Sequence, residues 1–373
     1  MKTLVTGGAG FIGSHLVARL VDRGEDVVVL DSLESQVHGA LVDGRPSSLP
    51  AEVEFIRGDV GAAMLVDRAL EGVDRVVHLA AAVGVGQSMY EIARYTELNT
   101  MATARFLERV VAQRPMPTRL VVASSMSIYG EGEYACSEHG RVAPRPRPEE
   151  QLLAREWDLA CPHCGRTLES VATSEDKPLI PTSIYAITKR DHEEYSLVTG
   201  GAYGIPTVAL RFFNVYGPGQ ALSNPYTGVA AIFASRLLNG RPPVIFEDGR
   251  QSRDFIHVSD IVRGIELALE SDAAVGHALN LGTGTRTTIS EVAEVIASGL
   301  GLEIEPEFNG QYRVGDIRHC HADSTRAREL LGFEAKTRFA DGMSDLVRSL
   351  AGKAAVDMVE QATEELAARG LTR

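Results

Sequence analysis

Positive charge and long apolar runs are both scarce in this sequence of 373 residues. The 50 Asp and Glu residues outnumber the 37 Lys and Arg residues, so the net charge is −13. A chain without a dense basic run is a poor match for the phosphate backbone of a nucleic acid. No apolar run has the length needed to cross a bilayer, and the first residues, MKTLVTGGAGFIG, lack the pattern of a signal peptide. We therefore expect a cytoplasmic protein that binds neither nucleic acid nor membrane.

Cysteine is also rare, with four residues in the chain. Three of them are clustered, which in a reducing compartment suggests metal binding rather than disulfides. The cluster repeats a short turn, CSEHG and then CPHCG, and each turn presents two ligands three residues apart with glycine next. We predict that Cys136, His139, Cys161 and Cys164 bind one structural Zn²⁺, because three thiolates and one imidazole close a tetrahedral shell. His163 is an alternative fourth ligand, and free thiols or a redox Cys-x-x-Cys pair are the alternatives to a metal.

Short apolar runs alternate with helical patterns over residues 1–216. The runs are MKTLVT, DVVVLD, VEFIRGD, DRVVHLA, RLVVASS and TVALRF. This alternation is typical of a doubly wound parallel sheet, so we predict an α/β fold of the Rossmann type. Residues 217–350 are less regular, which predicts a smaller C-terminal substrate-binding lobe with some segments returning to the first domain. A C-terminal helix is expected over residues 351–373.

One segment, residues 132–176, interrupts this pattern. It is punctuated by prolines (APRPRPEE) and contains the three clustered cysteines. A connection of this length inside a compact domain indicates an insertion, here with the character of a zinc knuckle.

A glycine-rich turn follows the first predicted strand directly. Gly7, Gly10 and Gly13 fit the spacing that lets a backbone approach a pyrophosphate, with the N-terminus of the next helix facing the anion. Asp31 ends the second strand, where a carboxylate accepts hydrogen bonds from both ribose hydroxyls and repels a 2′-phosphate. The cofactor is therefore predicted to be NAD rather than NADP. Asp59 ends the third strand and is either an adenine contact or a structural cap.

A candidate catalytic group follows later strands. Ser125 closes the run RLVVASS, and Tyr185 and Lys189 are four residues apart in YAITK, so they share one helix face. The charges of Lys189 and of NAD⁺ lower the pKa of a nearby phenol, so Tyr185 can act as a base near neutral pH. Ser125 can relay the proton or hold the substrate hydroxyl.

These features occur in a colinear series of motifs through most of the chain. The series is TGGAGFIG, HLAA, SSMSIYG, YAITK, RFFNVYGPGQ, RDFIHVSD, ALNLGTG and GDIRHCHAD. With this series the sequence resembles the extended short-chain dehydrogenase/reductase family, in particular its nucleotide-sugar epimerases and dehydratases. The resemblance implies tightly bound NAD, a nucleotide-diphosphate sugar as substrate, and a homodimer built from the helices around residues 91–111 and 183–198.

The resemblance also implies two sets of contact residues. Cofactor contacts are implied, besides the glycines and acids above, for Phe11, Ile12, Val60, Leu79, Ala80, Ala81, Asn99, Tyr185 and Lys189. Substrate contacts are implied for Ser127, Asn214, Arg253 and Arg318. Two arginines suit a diphosphate because guanidinium groups bind phosphate oxygens in pairs of hydrogen bonds.

The two residues that follow Ser125 indicate which reaction to expect. Dehydrating relatives carry an acidic pair there, since elimination of water needs both an acid and a base. Here the positions hold Met126 and Ser127, which can do neither, and what is left suits 4-epimerisation by transient oxidation at C4. The alternatives are an NAD-dependent nucleotide-sugar dehydrogenase or 4,6-dehydratase, and a non-enzymatic NAD-binding zinc-ribbon protein. HLAAAVGVGQSMYEI and ARGLTR are similar to stretches of dTDP-L-rhamnose 4-epimerases, while UDP-hexoses and UDP-uronic acids stay open as substrates.

Overall fold

A computed structural model describes residues 1–39, 44–221, 226, 228–350, 357 and 359–373. Its strands are β1 (Lys2–Thr6), β2 (Asp26–Asp31), β3 (Glu54–Arg57), β4 (Arg75–His78), β5 (Arg119–Ser125), β6 (Glu133–Cys136), β7 (Gly140–Val142), β8 (Glu169–Val171), β9 (Thr207–Phe212), β10 (Asn214–Tyr216), β11 (Val244–Ile245), β12 (Ser252–Arg253), β13 (Phe255–His257), β14 (Ala278–Leu281), β15 (Thr287–Thr288), β16 (Glu307–Phe308) and β17 (His319–Cys320).

The α-helices of the described residues are α1 (Phe11–Asp22), α2 (Ser35–His38), α3 (Ala63–Ala69), α4 (Val85–Ser88), α5 (Ile92–Tyr95), α6 (Ala102–Ala112), α7 (Glu149–Leu153), α8 (Ile184–Tyr203), α9 (Val229–Leu238), α10 (Val258–Glu270), α11 (Ile289–Leu300), α12 (Thr325–Leu331), α13 (Phe339–Ser349) and α14 (Val359–Ala367). A π-helical stretch, Thr96–Met101, joins α5 to α6. A 3₁₀ turn, Met126–Tyr129, follows β5. None of the helices in this part of the chain has the length and apolar character needed to cross a membrane.

Seven parallel strands form the central sheet, in the order β14-β9-β5-β4-β1-β2-β3. Their apolar, β-branched residues are buried because helices cover both faces of the sheet and leave neither face to solvent. The chain reverses its winding between β1 and β4, and in such sheets ligands bind at the carboxyl ends of the strands beside the reversal. The predicted Rossmann-type α/β fold is therefore confirmed.

The second half of the chain builds a smaller lobe around its own apolar core. Helices α9, α11 and α13 pack together there, with Phe233, Ile296 and Met343 fully buried between them. A two-stranded sheet of β10 and β13 connects this lobe to the first half, and the small sheets β11-β16 and β15-β12-β17 lie within the second half. One segment returns to the central sheet as its edge strand, β14, which pairs with β9.

The Cys/His-rich segment has a small sheet and core of its own. Strands β7, β6 and β8 form an antiparallel sheet with β6 in the centre. Six buried side chains fill its core, namely Tyr134, Cys136, Val142, Leu159, Cys161 and Leu168. A core this small contributes little stability, so a bound metal would contribute much of what holds the segment together.

The predicted C-terminal helix over residues 351–373 is present in part. Residues 351–356 and 358 lie outside the described residues, and α14 occupies much of the remainder. After α14 the chain pairs with the second lobe, where Arg373 and Tyr312 exchange two backbone hydrogen bonds of 2.7 and 3.0 Å. This pairing holds α14 near the carboxyl ends of the central strands.

Candidate active site

A cavity of about 1190 Å³ lies at the carboxyl ends of the central strands, beneath the second lobe. The turns after β1 to β5 form its floor, and residues from α9, the β11 region and α14 form its roof. Parallel strands end at one edge of a sheet, so residues distant in sequence meet there.

The glycine turn at one end of the cavity has no room for side chains. A Cβ atom on Gly13 would lie 2.2 Å from the carbonyl oxygen of Gly7, and one on Gly7 would lie 2.7 Å from the backbone nitrogen of Ala80. Gly7 also has φ +69°, a conformation that favours glycine. The first turn of α1 contains no acidic residue, so its positive end is free to face an anion.

Asp31 stands beside this turn with both carboxylate oxygens held by the backbone. Oδ2 accepts a hydrogen bond of 3.0 Å from the amide of Ala9, and Oδ1 accepts one of 2.9 Å from Leu33. Asp59 likewise accepts a 2.6 Å bond from Gly61. Both acids line the cavity, which places fixed negative charge where hydroxyl donors of a ribose would bind.

Most residues with a predicted cofactor role meet in this cavity. Those that line it are Gly7, Gly10, Phe11, Ile12, Gly13, Asp31, Asp59, Val60, Leu79, Ala80, Ala81, Tyr185 and Lys189. Asn99 is absent from the wall that the described residues form. Its side chain instead bonds both backbone groups of Ala82, at 2.7 and 3.0 Å, and the hydroxyl of Thr188. It therefore shapes the loop after β4 rather than facing the cavity.

The three predicted catalytic residues also line the cavity. Helix α8 starts at a cap in which the Ser183 hydroxyl accepts a bond from the amide of Ala186, and this start places Tyr185 in the first turn. One turn later, Lys189 donates a 2.7 Å bond from Nζ to the carbonyl of Ala123 in β5. Ser125 at the end of β5 accepts a 2.9 Å bond from the hydroxyl of Ser127.

Burial shifts the titration of both groups on α8. It raises the pKa of Tyr185 to about 12, against the opposing effect of a hydrogen bond with Ser125, and it lowers the pKa of Lys189 to about 7. A phenol with such a pKa is a poor base at neutral pH. An added positive charge beside the phenol would favour its ionised form and lower this pKa, so the site suits a cationic cofactor.

A buried ion pair supports the end of β5 from behind. Glu193, two turns after Tyr185 on α8, forms two hydrogen bonds with Arg211 of β9, at 2.6 and 2.9 Å. The same carboxylate accepts a 2.7 Å bond from the hydroxyl of Ser124. The pair thus fixes α8, β5 and β9 relative to one another, although no sequence motif predicted it.

The predicted substrate residues divide into two groups. Ser127, Asn214 and Arg253 line the cavity, and the side-chain oxygen of Asn214 is buried without a hydrogen-bond partner among the described residues. Arg318 lies outside the cavity wall of the described residues. Its guanidinium is buried and forms two hydrogen bonds with Asp248, at 2.6 and 2.9 Å.

Arg313 takes the place in the cavity wall that Arg318 was expected to occupy. Its guanidinium lies 4.3 Å from the ring centroid of Phe246, and its buried Nε has no hydrogen-bond partner among the described residues. Burial also lowers its pKa. It directly precedes Val314 and the motif GDIRHCHAD, and it is five residues before Arg318.

The four predicted metal ligands come together away from this cavity, in the small sheet of the insertion. The ligand atoms all lie within 4.8 Å of one another. Sγ of Cys136 is 3.5 Å from Nδ1 of His139 and 3.6 Å from Sγ of Cys164, and Sγ of Cys161 is 3.6 Å from the same Nδ1. Zinc–sulfur bonds of about 2.3 Å in a tetrahedron give S–S separations of about 3.8 Å, so the chemistry and the close approach of these donors fit Zn²⁺.

Comparison with known proteins identifies the family. The chain matches the NAD dependent epimerase/dehydratase family over residues 3–149 and 162–282. It belongs to this family. Residues 150–161, which fall inside the predicted insertion, are outside the match.

Several relatives of this family member are 4-epimerases. It is 34% identical to dTDP-L-rhamnose 4-epimerase of Burkholderia thailandensis, over 92% of this chain and 93% of the relative. It is also 34% identical to UDP-glucose 4-epimerase of Mycolicibacterium smegmatis, over 95% and 99%. Among solved structures, UDP-glucuronic acid 4-epimerase from Bacillus cereus, in complex with UDP-glucuronic acid and NAD, superposes with a TM-score of 0.77, at 28% identity over 94% of this chain and 99% of that one. The prediction of a nucleotide-sugar epimerase is thus confirmed at the level of family and enzyme class.

We expect Tyr185→Phe to lower turnover by about 10²- to 10⁴-fold, because it removes only the phenolic proton acceptor. The fold and the cofactor content should not change, which circular dichroism and analysis of released nucleotide would verify. Tyr203→Phe is the matched control, since Tyr203 ends the same helix with 54% of its surface exposed. Retention of more than about a tenth of the activity by Tyr185→Phe would contradict the assigned role.

Proposed function

We propose that this protein is a nucleotide-sugar 4-epimerase that oxidises C4 transiently with tightly bound NAD and returns the hydride to the opposite face. One observation carries the proposal. Ser125, Tyr185 and Lys189 meet in one cavity between a glycine turn and two arginines, and the acidic pair that elimination needs is replaced by Met126 and Ser127.

The cofactor end of the cavity fits NAD by shape and by charge. The space that side chains at Gly7 and Gly13 would fill is left for a pyrophosphate at the start of α1. Asp31 keeps two backbone-held oxygens for a ribose and would repel a 2′-phosphate. When bound, NAD supplies the hydride acceptor and donor for the reaction at C4.

The residues of this chain bind the sugar and move one proton. Tyr185 takes the proton of the C4 hydroxyl, and Ser125 holds that hydroxyl within reach. When protonated, the ammonium of Lys189, one turn further along the same helix, stabilises the phenolate, and the positive charge of NAD⁺ adds to this effect. Turning of the 4-keto sugar in the cavity then presents its other face, and Tyr185 returns the proton to the oxygen.

Two cavity arginines suit the diphosphate of the substrate. Arg253 is fixed by bonds of 2.8 Å to Asp316 and 2.9 Å to the carbonyl of Ser252, and the guanidinium of Arg313 lies over the ring of Phe246, 4.3 Å from its centroid. Both residues line the cavity that also contains the glycine turn. The earlier prediction for Arg318 stays untested as a substrate contact, and its bonds to Asp248 favour a supporting position instead.

The function can be tested with a panel of dTDP-, UDP- and GDP-sugars, with products identified by NMR. We expect C4 epimers without net redox change, activity that needs no added NAD, and NAD released when the purified protein is denatured. Tyr185→Phe serves as the inactive control. Accumulation of NADH would indicate a dehydrogenase, and a 4-keto-6-deoxy product would indicate a dehydratase; either result would overturn the proposal.

We also propose that the Cys/His cluster holds one structural Zn²⁺. Three thiolates and one imidazole leave no open position, so the metal would stabilise the insertion rather than take part in the reaction. The thiols must stay reduced, which agrees with the cytoplasmic location expected from the sequence.

Metal analysis of protein purified without chelator should find about one zinc per chain. Cys161→Ser combined with Cys164→Ser should lose the metal and lower the melting temperature. Cys320→Ala is the control. Cys320 is buried outside the cluster, so this variant should keep the zinc. Zinc-free wild-type protein that melts at the same temperature would contradict the proposal.

A homodimer is the third element of the proposal. Five large apolar side chains are 41–71% exposed on the two helical segments expected at the subunit contact, namely Ile92, Met101, Ile187, Tyr195 and Val198. On α8 they recur at the spacing of one helix face, and exposed apolar faces of this kind mark subunit contacts.

We expect Ile187→Asp combined with Val198→Asp to convert the dimer into a monomer, because charge on that face disfavours its burial. Light scattering coupled to gel filtration measures the mass. Leu153→Asp is the matched control, since Leu153 is 63% exposed on α7, outside this face. Wild-type protein that elutes as a monomer would refute the dimer.

A further inference from the structure

Buried ion pairs connect the Cys/His insertion to the substrate end of the cavity. Arg147 belongs to the insertion, yet its side chain is only 2% exposed and extends into the second lobe. There its Nη2 donates a 2.7 Å bond to Glu247 and a 3.3 Å bond to the carbonyl of Asp316. Nothing in the proposed reaction uses these contacts directly.

The first contact fixes a strained turn. Glu247 has φ +54°, which is unfavourable for a residue other than glycine and needs support from its surroundings. Its carboxylate is held from two sides, by Arg147 at 2.7 Å and by Arg318 at 3.1 Å. The preceding residue is Phe246, the ring on which Arg313 lies. Arg147 therefore supports the platform of one cavity arginine.

The second contact reaches the other cavity arginine. The carbonyl of Asp316 accepts the bond from Arg147, and the carboxylate of the same residue accepts a 2.8 Å bond from Arg253. Arg147 thus contacts Asp316, the partner of Arg253, directly. It also contacts Glu247, the neighbour of the phenylalanine on which Arg313 lies.

The insertion in turn holds Arg147 in place. Its Nη1 donates a 3.2 Å bond to the carbonyl of Trp157, and the next residue, Asp158, accepts a 3.1 Å bond from Arg318. Three residues further along the chain is Cys161, one of the four clustered ligands. The segment between Trp157 and Cys161 therefore joins the metal cluster to the ion pairs.

We propose that Arg147 is a positioning residue for the substrate diphosphate, and that the metal-binding insertion holds the Arg147 side chain in the orientation this role needs. Arg147 acts through Glu247 and Asp316, which set the orientation of Arg253 and Arg313. The inference rests on the proposed function, because it assigns those two arginines to the diphosphate. It also gives the insertion a role in substrate affinity that the reaction at C4 does not require.

Arg147→Gln tests this role in the NAD-containing enzyme. Binding of UDP and of dTDP, measured by calorimetry, should weaken about tenfold, since arginines displaced by a fraction of an ångström lose part of their bonds to phosphate. The KM for the nucleotide sugar should rise in parallel, while kcat and NAD content stay close to wild type. Arg147→Lys keeps one charged donor and should show an intermediate loss.

A second arginine of the insertion provides the matched control. Arg141 pairs with Glu133 at 2.7 Å, and its side chain is 58% exposed. Arg141→Gln should bind both nucleotides as the wild type does. Combining Arg147→Gln with Glu247→Gln should add little to the loss from either change, because both residues act in one pathway.

The outcomes separate the two proposals. Wild-type protein that binds none of UDP, dTDP and GDP would overturn the proposed function itself. Normal nucleotide binding by Arg147→Gln would overturn the inference and leave the proposed function intact. A loss of kcat and NAD together, with no selective loss of nucleotide affinity, would show that Arg147 has only a general structural role.

Discussion

The geometry of a parallel sheet determines where everything else in this protein can be. All seven strands end at the same edge, so the glycine turn after β1, the acid at the end of β2 and the serine at the end of β5 must open into one crevice. Residues far apart in sequence become neighbours without any direct contact having to draw them together. Helix α8 packs on this sheet and brings Tyr185 and Lys189 to the same edge.

Much of this arrangement could be predicted because its signals are local. Six apolar runs correspond to six strands of the central sheet, and the glycine spacing marks the one turn where side chains cannot fit. The two ligand turns of the insertion could also be predicted, because each places its pair of ligands within a few residues of sequence. The seventh strand, β14, lies in the less regular second half of the chain, and its pairing with β9 joins segments that are distant in sequence.

What could not be predicted depends on contacts between distant segments. Arg313 and Arg318 lie five residues apart in one segment, and both suit a phosphate by chemistry. Pairing of β17 with β12 decides which one faces the cavity, and spacing carries no information about that pairing. The family resemblance implied a cofactor contact for Asn99, whereas its amide in the structure completes the loop at Ala82. The entry of α14 into the cavity wall likewise follows from its backbone pairing with the second lobe.

Helix α8 has three occupied faces, and this limits how the protein can change. One face turns Tyr185 and Lys189 to the cavity, a second holds Glu193 against Arg211, and a third presents Ile187, Tyr195 and Val198 outward. Successive residues of a helix are about 100° apart, so a rotation by one position would remove the tyrosine from the cavity and the glutamate from its partner together. If the outward face packs against a second subunit, the same rigid helix serves both assembly and catalysis. Substitutions that shift the helix at the subunit contact would then also shift Tyr185 at the substrate. Few positions of this helix can therefore change without an effect on assembly or catalysis.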